Sequence, residues 1–317
     1  MLASVIVCTR DRAGLLQGCL EAIVADTSLA GREVVVVDNG STDGTAGLVD
    51  GFIARHPRAE LRLLREPRVG KVHALNTGVR EAAGDLLLFT DDDVRVQPGW
   101  AGALVEAMAS PGVGAAGGRT LPAWPSPPPP WVNGQGEVAL GLMDLGDTPR
   151  DAAPGEVIGA NMALRAADLR ALGLRFEPNL GPVGALKIAW EERHLLERLR
   201  LHRRLVYAPG AVACHEIDPA RVDWDWVRRL SFQTGFGKAR HERLSGVAPG
   251  PLPARLLRAA MGYHRAWLVR DRNRRSGART AAAATAEFLA YDEAGRRIDM
   301  ALAGLPAQAA WLAGRRV

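Results

Sequence analysis

The sequence predicts an α/β fold, with a mainly parallel central sheet flanked by helices and a helical extension at the C-terminus. In the first half, short apolar runs rich in β-branched residues alternate with segments of helical length. Polar clusters stand at the ends of three of those runs. Past about residue 222 the alternation stops, and helical sequence richer in arginine takes over.

The elements follow in order. Residues 5–8, 34–37, 61–64 and 86–89 have the composition of buried strands, and 13–25, 44–56, 71–83 and 98–109 have helical length. Strands alternating with helices argue for a sheet covered on both faces. Ligands of such sheets bind beyond the carboxyl ends of the strands. Thr9-Arg10-Asp11-Arg12, Asp38-Asn39-Gly40-Ser41-Thr42-Asp43 and Thr90-Asp91-Asp92-Asp93 stand at three such ends and are expected to face one crevice. The proline-rich stretch 121–131 is expected to be neither helix nor interior strand, because proline removes the backbone donor; it is an extended loop or a surface linker. Residues 157–164 predict a further strand, 166–172 a helix, and 190–201 a charged helix. Short closing strands are expected at 205–207 and 211–214. In the extension, Arg255, Arg258, Arg265, Arg270 and Arg272 interleave with Leu256, Leu257, Met261, Tyr263, Trp267 and Leu268. Such a basic amphipathic helix either packs on a neighbour or lies on an anionic membrane.

The 317 residues are 47% hydrophobic and 24% charged, a balance that allows a sizeable core. The net charge of +5 suits phosphate-bearing or anionic partners without identifying one. Cys8, Cys19 and Cys214 are odd in number and lack metal-ligand spacing, which favours a reduced, cytoplasmic setting. No leader pattern precedes the first strand, and no apolar run is long enough to span a bilayer. At a membrane, the chain is expected to lie on the inner face as a peripheral protein.

The chemistry concentrates at a few positions. Three adjacent carboxylates, Asp91, Asp92 and Asp93, repel one another unless a cation neutralises them. Mg²⁺ and Mn²⁺ take oxygen ligands and bridge carboxylates to phosphates. A solvated acidic turn explains the triplet equally well when it is taken alone. Asp38 ends a strand, where its carboxylate can accept a hydrogen bond from a nucleobase, while Ser41, Thr42 or Asp43 can cap the next helix. Gly70-Lys71 opens a helix whose amides and ammonium suit an anion. Glu191-Glu192 begins the charged helix; either can serve as a base, and the helix dipole also favours both. His215 follows the last strand, where it is a structural histidine or a ligand.

Together these residues resemble the family-two glycosyltransferases, which have the GT-A (Rossmann-like) fold. The resemblance rests on 5–12, Val37-Asp38-Asn39-Gly40-Ser41-Thr42-Asp43-Gly44-Thr45, Gly70-Lys71 with 74–78, Phe89-Thr90-Asp91-Asp92-Asp93-Val94, Gly159-Ala160-Asn161-Met162-Ala163, and Glu191-Glu192, in order over about residues 3–216. It implies an inverting transfer of sugar from a nucleoside diphosphate donor, UDP first, using Mn²⁺ or Mg²⁺. Thr9, Arg10 and Asp38 are similar to nucleobase contacts, and Lys71 to a base or diphosphate contact. Arg12, Asn39, Asp91, Asp92 and Asn161 join the donor-binding set, with the Asp92 side chain expected to turn to solvent. Asp93 is similar to the direct metal ligand, with Asp91 and His215 beside it. Glu192 is the expected base and Glu191 the fallback; the family commonly has Glu-Asp there. The implied division is a GT-A catalytic domain over 1–218, with a nucleotide-sugar-binding half at 1–118 and an acceptor half at 119–218, then a helical extension over 219–317. The expected acceptor is a glycan, a lipid-linked sugar or a small molecule, with no nucleic acid; the sequence fixes no oligomeric state. A sugar-phosphate nucleotidyltransferase and a non-catalytic nucleotide-sugar-binding protein are the alternatives.

Overall fold

The computed structural model describes residues 2–29, 33–128, 132, 140–182, 188–248, 251, 254, 258, 261–262, 265–266, 268–270, 273 and 281–302, with backbone alone at 224, 227, 281–285, 288 and 298–302. The expectations for residues 129–131 and for Arg255, Leu256, Leu257, Tyr263, Trp267 and Arg272 lie outside the described residues. The chain divides into two compact units. One comprises Met1–Ala123, Gly141–Pro178 and Glu191–Glu216; the other comprises Trp124–Leu140, Asn179–Trp190 and Ile217–Val317.

The first unit is α/β, as expected. Its opening strands are β1 (Ala3–Thr9), β2 (Glu33–Asp38), β3 (Glu60–Arg65) and β4 (Leu86–Asp91). The intervening helices are α1 (Ala13–Ala25), α2 (Thr45–Arg55) and α3 (Lys71–Glu81), with α4 (Trp100–Ala107) after them. β1, β2 and β4 are buried on both faces, which explains their continuous apolar runs, while β3 is the partly exposed edge strand and carries charged residues. Val5, Val7, Val34, Val36, Leu86 and Leu88 pack into one core with Leu16, Leu20 and Ile23 of α1. Ile6, Val35, Val37, Leu87 and Phe89 pack into a second core with Val72, Ala74 and Leu75 of α3.

The remaining strands are β5 (Val94–Val96), β6 (Val113–Ala123), β7 (Arg150–Asp151), β8 (Asn161–Arg165) and β9 (Arg204–Glu216). The nine strands run in the order β3-β2-β1-β4-β8-β6-β9-β5, with β7 on β9. Pairing is parallel from β3 through β4, then antiparallel where β8 joins β4 and β6. The chain steps outward from β1 to β3 and returns on the other side as β4, so the crevice opens where the order reverses. Register fixes what meets there: Thr9 lies opposite Asp38, and Cys8 opposite Asp91.

Three elements depart from the sequence expectation. Residues 157–160 are not strand; a short 3-10 turn, Pro154–Glu156, precedes them and β8 starts at Asn161. Proline 154 and the glycines at 155 and 159 break the extended run. The two closing strands are one, β9, which carries Pro209 through a register shift opposite Gly118 and Arg119. The bulge takes the proline out of the ladder, where its missing donor costs nothing. Leu121–Ala123, expected in the proline-rich loop, finishes β6, with Pro122 opposite His215. Pro122 is tolerated because β8 pairs only with Ala115–Gly117 and the single bridge to Met143 lies at Thr120, so no ladder bond falls on Pro122 on that side. Two shorter helices complete the unit, α5 (Ala166–Ala171) and α6 (Glu191–Leu199). Helix α6 begins one residue later than expected because Trp190 has a φ of 91°, outside the helical region.

The second unit contains α7 (Trp224–Leu244) and α8 (Ala281–Leu302). Asp223 caps α7 through the amides of Asp225 and Trp226. The two helices cross at Gly235 and Gly295, where a Cβ would lie 1.9 Å from a carbonyl oxygen of the facing helix. Among the described residues no helix is long and apolar enough to cross a membrane.

Candidate active site

The three polar strand ends come together as the register requires. Two loops lace them. Asp11 has a φ of 51°, which aspartate tolerates better than most residues. It accepts hydrogen bonds from Thr42 N at 2.6 Å and Thr42 Oγ1 at 3.2 Å, and its own amide donates to Ser41 Oγ at 2.9 Å. Asp38 closes its turn by accepting Ser41 N at 2.8 Å. Asp43 accepts Ala13 N at 3.1 Å and Thr45 N at 3.0 Å, so it serves the starts of both α1 and α2.

Each carboxylate of the acidic run has a cation of the protein's own. Lys71 Nζ stands 2.8 Å from Asp91 Oδ1. Arg12 reaches from the β1–α1 loop, with Nη1 2.5 Å from Asp92 Oδ1 and Nη2 3.1 Å from Asp93 Oδ2. His215 Nε2 lies 3.2 Å from Asp93 Oδ1. The expectation that Asp92 turns to solvent is corrected here. It is 3% exposed, and Thr9 Oγ1 donates to it at 2.8 Å. Asp92 lies in the turn after β4, and its side chain folds in against Thr9 at the end of β1 rather than outward. Burial pushes its pKa up to about 6, opposed by Arg12 and assisted by Asp93.

Two other residues of the donor-binding set hold the frame rather than face the crevice. Asn39 is 4% exposed; its amide nitrogen donates to the carbonyls of Glu66 and Arg68, and its oxygen accepts Gly70 N at 2.8 Å. It thereby fixes the loop that presents Lys71. Asn161 is fully buried, donating to the carbonyls of Arg119 and Ala211 and accepting Trp100 Nε1 at 2.8 Å. A side-chain amide offers two donors and one acceptor oxygen, and here all are engaged. Arg10, by contrast, is exposed beside Asp11.

The Glu191-Glu192 pair divides by burial. Glu191 is 3% exposed and its Oε2 meets no hydrogen-bond partner. Burial, with the Glu192 charge beside it, raises its pKa above the ordinary carboxylate value. Glu192 is less enclosed, with Oε1 3.8 Å from Lys71 Nζ. Burial raises its pKa too, and Lys71 opposes the shift. Burial alone would lower the Lys71 pKa, but Asp91 and Glu192 outweigh it and raise it. Gly159 has a role that its sequence position did not reveal. A Cβ built there would lie 2.2 Å from Glu192 Oε1, so the glycine leaves the space that the carboxylate occupies. The signals in the sequence were a glycine breaking an apolar run and its place in a segment that resembles the family.

The donor set suits a hard divalent ion. Adjacent corners of an octahedral shell with bonds of about 2.0–2.1 Å are about 3 Å apart. Asp93 Oδ1 and His215 Nε2, at 3.2 Å, match that separation. Among the described residues no three His, Cys, Asp or Glu side chains form a metal-ready group.

Residues 4–190 match the family described as Glycosyl transferase family 2. Among curated relatives, glycosyltransferase AglE of Haloferax volcanii is 32% identical over 124 residues, covering 39% of this chain and 40% of that one. The matched stretch thus spans less than half that relative's length. Glucosyl-dolichyl phosphate glucuronosyltransferase of the same organism is 23% identical over 248 residues, covering 75% and 76% of the two chains. Among solved structures, a mannosyltransferase of Pyrobaculum calidifontis in complex with GDP-Man and Mn²⁺ superposes with a TM-score of 0.56 at 23% identity, covering 98% of this chain and 78% of that one. That likeness shows the fold.

Proposed function

The chain belongs to glycosyl transferase family 2, and on that premise we propose that it transfers a sugar from a nucleoside diphosphate sugar to an acceptor hydroxyl by single displacement. One observation carries the reading. Lys71 stands 2.8 Å from Asp91 and 3.8 Å from Glu192, so a single ammonium links the acidic run to the carboxylate best placed as a base.

In this mechanism the acceptor oxygen bonds to the anomeric carbon as the bond from that carbon to the diphosphate breaks. The acceptor proton passes to Glu192, and the electron pair of the broken bond leaves with the nucleoside diphosphate. Attack from the face opposite the leaving group inverts the anomeric centre. Lys71 and Arg12 face the departing negative charge with fixed positive charge. Asp93 and His215 would hold Mn²⁺ or Mg²⁺, which when bound supplies further charge stabilisation to the leaving group. Asp38 and Arg10 serve the nucleobase. An aspartate accepts hydrogen bonds from a base N–H, which uridine, thymidine and guanosine all offer, and the family resemblance puts uridine first.

The test is product analysis with a panel of nucleotide sugars and Mn²⁺. Nucleoside diphosphate release coupled to a glycosylated acceptor supports transfer. Pyrophosphate release from a nucleoside triphosphate and a sugar phosphate indicates nucleotidyl transfer instead. Tight donor binding without turnover across acceptors indicates a sensor.

The reading extends to peripheral membrane contact by the C-terminal extension. The described residues of 254–273 are helical, and Arg258, Met261, Arg265 and Leu268 recur at three- and four-residue spacing, all exposed. Alternating guanidinium and apolar groups on one helical face suit an anionic lipid surface. Co-sedimentation with phosphatidylglycerol vesicles, lost with phosphatidylcholine vesicles and in the Arg258→Glu/Arg265→Glu variant, is the expected result. Equal recovery with both vesicle types would remove this part of the reading.

A further inference from the structure

We propose that Arg12 is a resident counter-cation that competes with a divalent metal for Asp93, and that Asp92 is the anchor that keeps it there; the inference rests on the reading of Asp93 and His215 as a metal pair. Asp93 has two oxygens with different neighbours: Oδ1 faces His215 Nε2 at 3.2 Å, and Oδ2 faces Arg12 Nη2 at 3.1 Å. Any cation taken up on the His215 side therefore shares its carboxylate with a guanidinium.

That guanidinium is not loose. Its other nitrogen lies 2.5 Å from Asp92 Oδ1, and the second oxygen of Asp92 accepts Thr9 Oγ1 at 2.8 Å. Asp92 is 3% exposed while the Arg12 side chain is 40% exposed, so the guanidinium reaches in from solvent onto a buried carboxylate. A planar fork with two donors spans neighbouring carboxylates as no ammonium can. The middle residue of the acidic run thus acts on the metal at one remove. It pins a positive charge beside the ligand, keeping Asp91, Asp92 and Asp93 compatible before any ion arrives and weakening the ion's hold once it does. Weak metal binding by the protein alone has a use: the ion then binds well only together with the diphosphate, whose charge outweighs that of Arg12.

Arg12→Gln removes the charge and keeps much of the side-chain length. Calorimetric titration of the folded full chain with Mn²⁺ alone, at fixed ionic strength, is expected to show at least tenfold tighter binding in Arg12→Gln than in the wild type. Arg12→Lys is expected to be intermediate, about threefold tighter, because one ammonium cannot bridge both carboxylates. Asp93→Asn is expected to lose the site. Unchanged or weaker Mn²⁺ binding in Arg12→Gln overturns the proposal. Should that variant not fold, as read by circular dichroism, Arg12→Lys decides by the same comparison. Indistinguishable Mn²⁺ binding by the wild type and Asp93→Asn overturns the metal reading itself, whatever Arg12 does.

Discussion

Asp93→Asn is expected to lower kcat for sugar transfer by about 10²–10³-fold, with the melting temperature nearly unchanged. The magnitude is that of removing one preorganised electrostatic contact to charge developing in the transition state. Asparagine keeps the shape of the side chain and can still accept from Arg12, so the packing around His215 survives. What is lost is the negative charge that makes a ligand pair with His215, whose Nε2 is 3.2 Å away. The effect belongs in kcat, because charge on the departing diphosphate grows only as the glycosidic bond breaks. Steady-state kinetics across a Mn²⁺ series checks this. Full activity in Asp93→Asn at every metal concentration would remove Asp93 from the mechanism. Asp92→Asn is the internal comparison. Its side chain is buried against Thr9 and Arg12, so its expected loss is smaller.

The contrast between neighbouring aspartates shows where the sequence was informative. The four opening strands and three helices could be placed because local period and burial agree: strands buried on both faces are apolar throughout, and the helices between them have ordinary length. The strand ends then assembled because the parallel register sets Thr9 against Asp38 and Cys8 against Asp91. The partners within the assembly were less legible. Repulsion among three carboxylates correctly demands a cation, but whether that cation is Arg12, Lys71 or a metal depends on side chains about 20 to 80 positions away in sequence. Asn39 and Asn161 lie in motifs that resemble donor-binding segments, and their amides are instead committed to main-chain groups and, for Asn161, to the Trp100 indole as well. No local pattern distinguishes an amide that faces a ligand from one that joins two strands. The antiparallel second half was the least legible, since Pro122 and Pro209 look like breakers until the bulge and the unbonded side of Pro122 that accommodate them are seen.

Glu192→Gln is expected to lower kcat/KM by about 10²–10⁴-fold, the range of positioned general-base catalysis. Glutamine preserves size and removes only the ability to take the acceptor proton. The wild-type pH profile has a defined direction. A base works in its ionised form, and burial raises the Glu192 pKa above the ordinary value of about 4.3. Activity should therefore be low in acid, rise with pH through that raised pKa, and level off above it; the rising limb should vanish from the residual activity of Glu192→Gln. Glu191, at 3% exposure, is the more deeply enclosed of the two and offers an acceptor less access. Gly159→Ala tests the geometry apart from the charge. Its Cβ would enter the space 2.2 Å from Glu192 Oε1, and the flexible carboxylate can swing aside at little cost to the fold. Activity should fall about tenfold or more while the melting temperature holds. Shortening the base relieves the clash, so Gly159→Ala/Glu192→Asp should be more active than the sum of the two single losses predicts. Strict additivity in that cycle would mean that Gly159 does not position the base, and an unaltered pH profile in Glu192→Gln would mean that Glu192 is not the base at all.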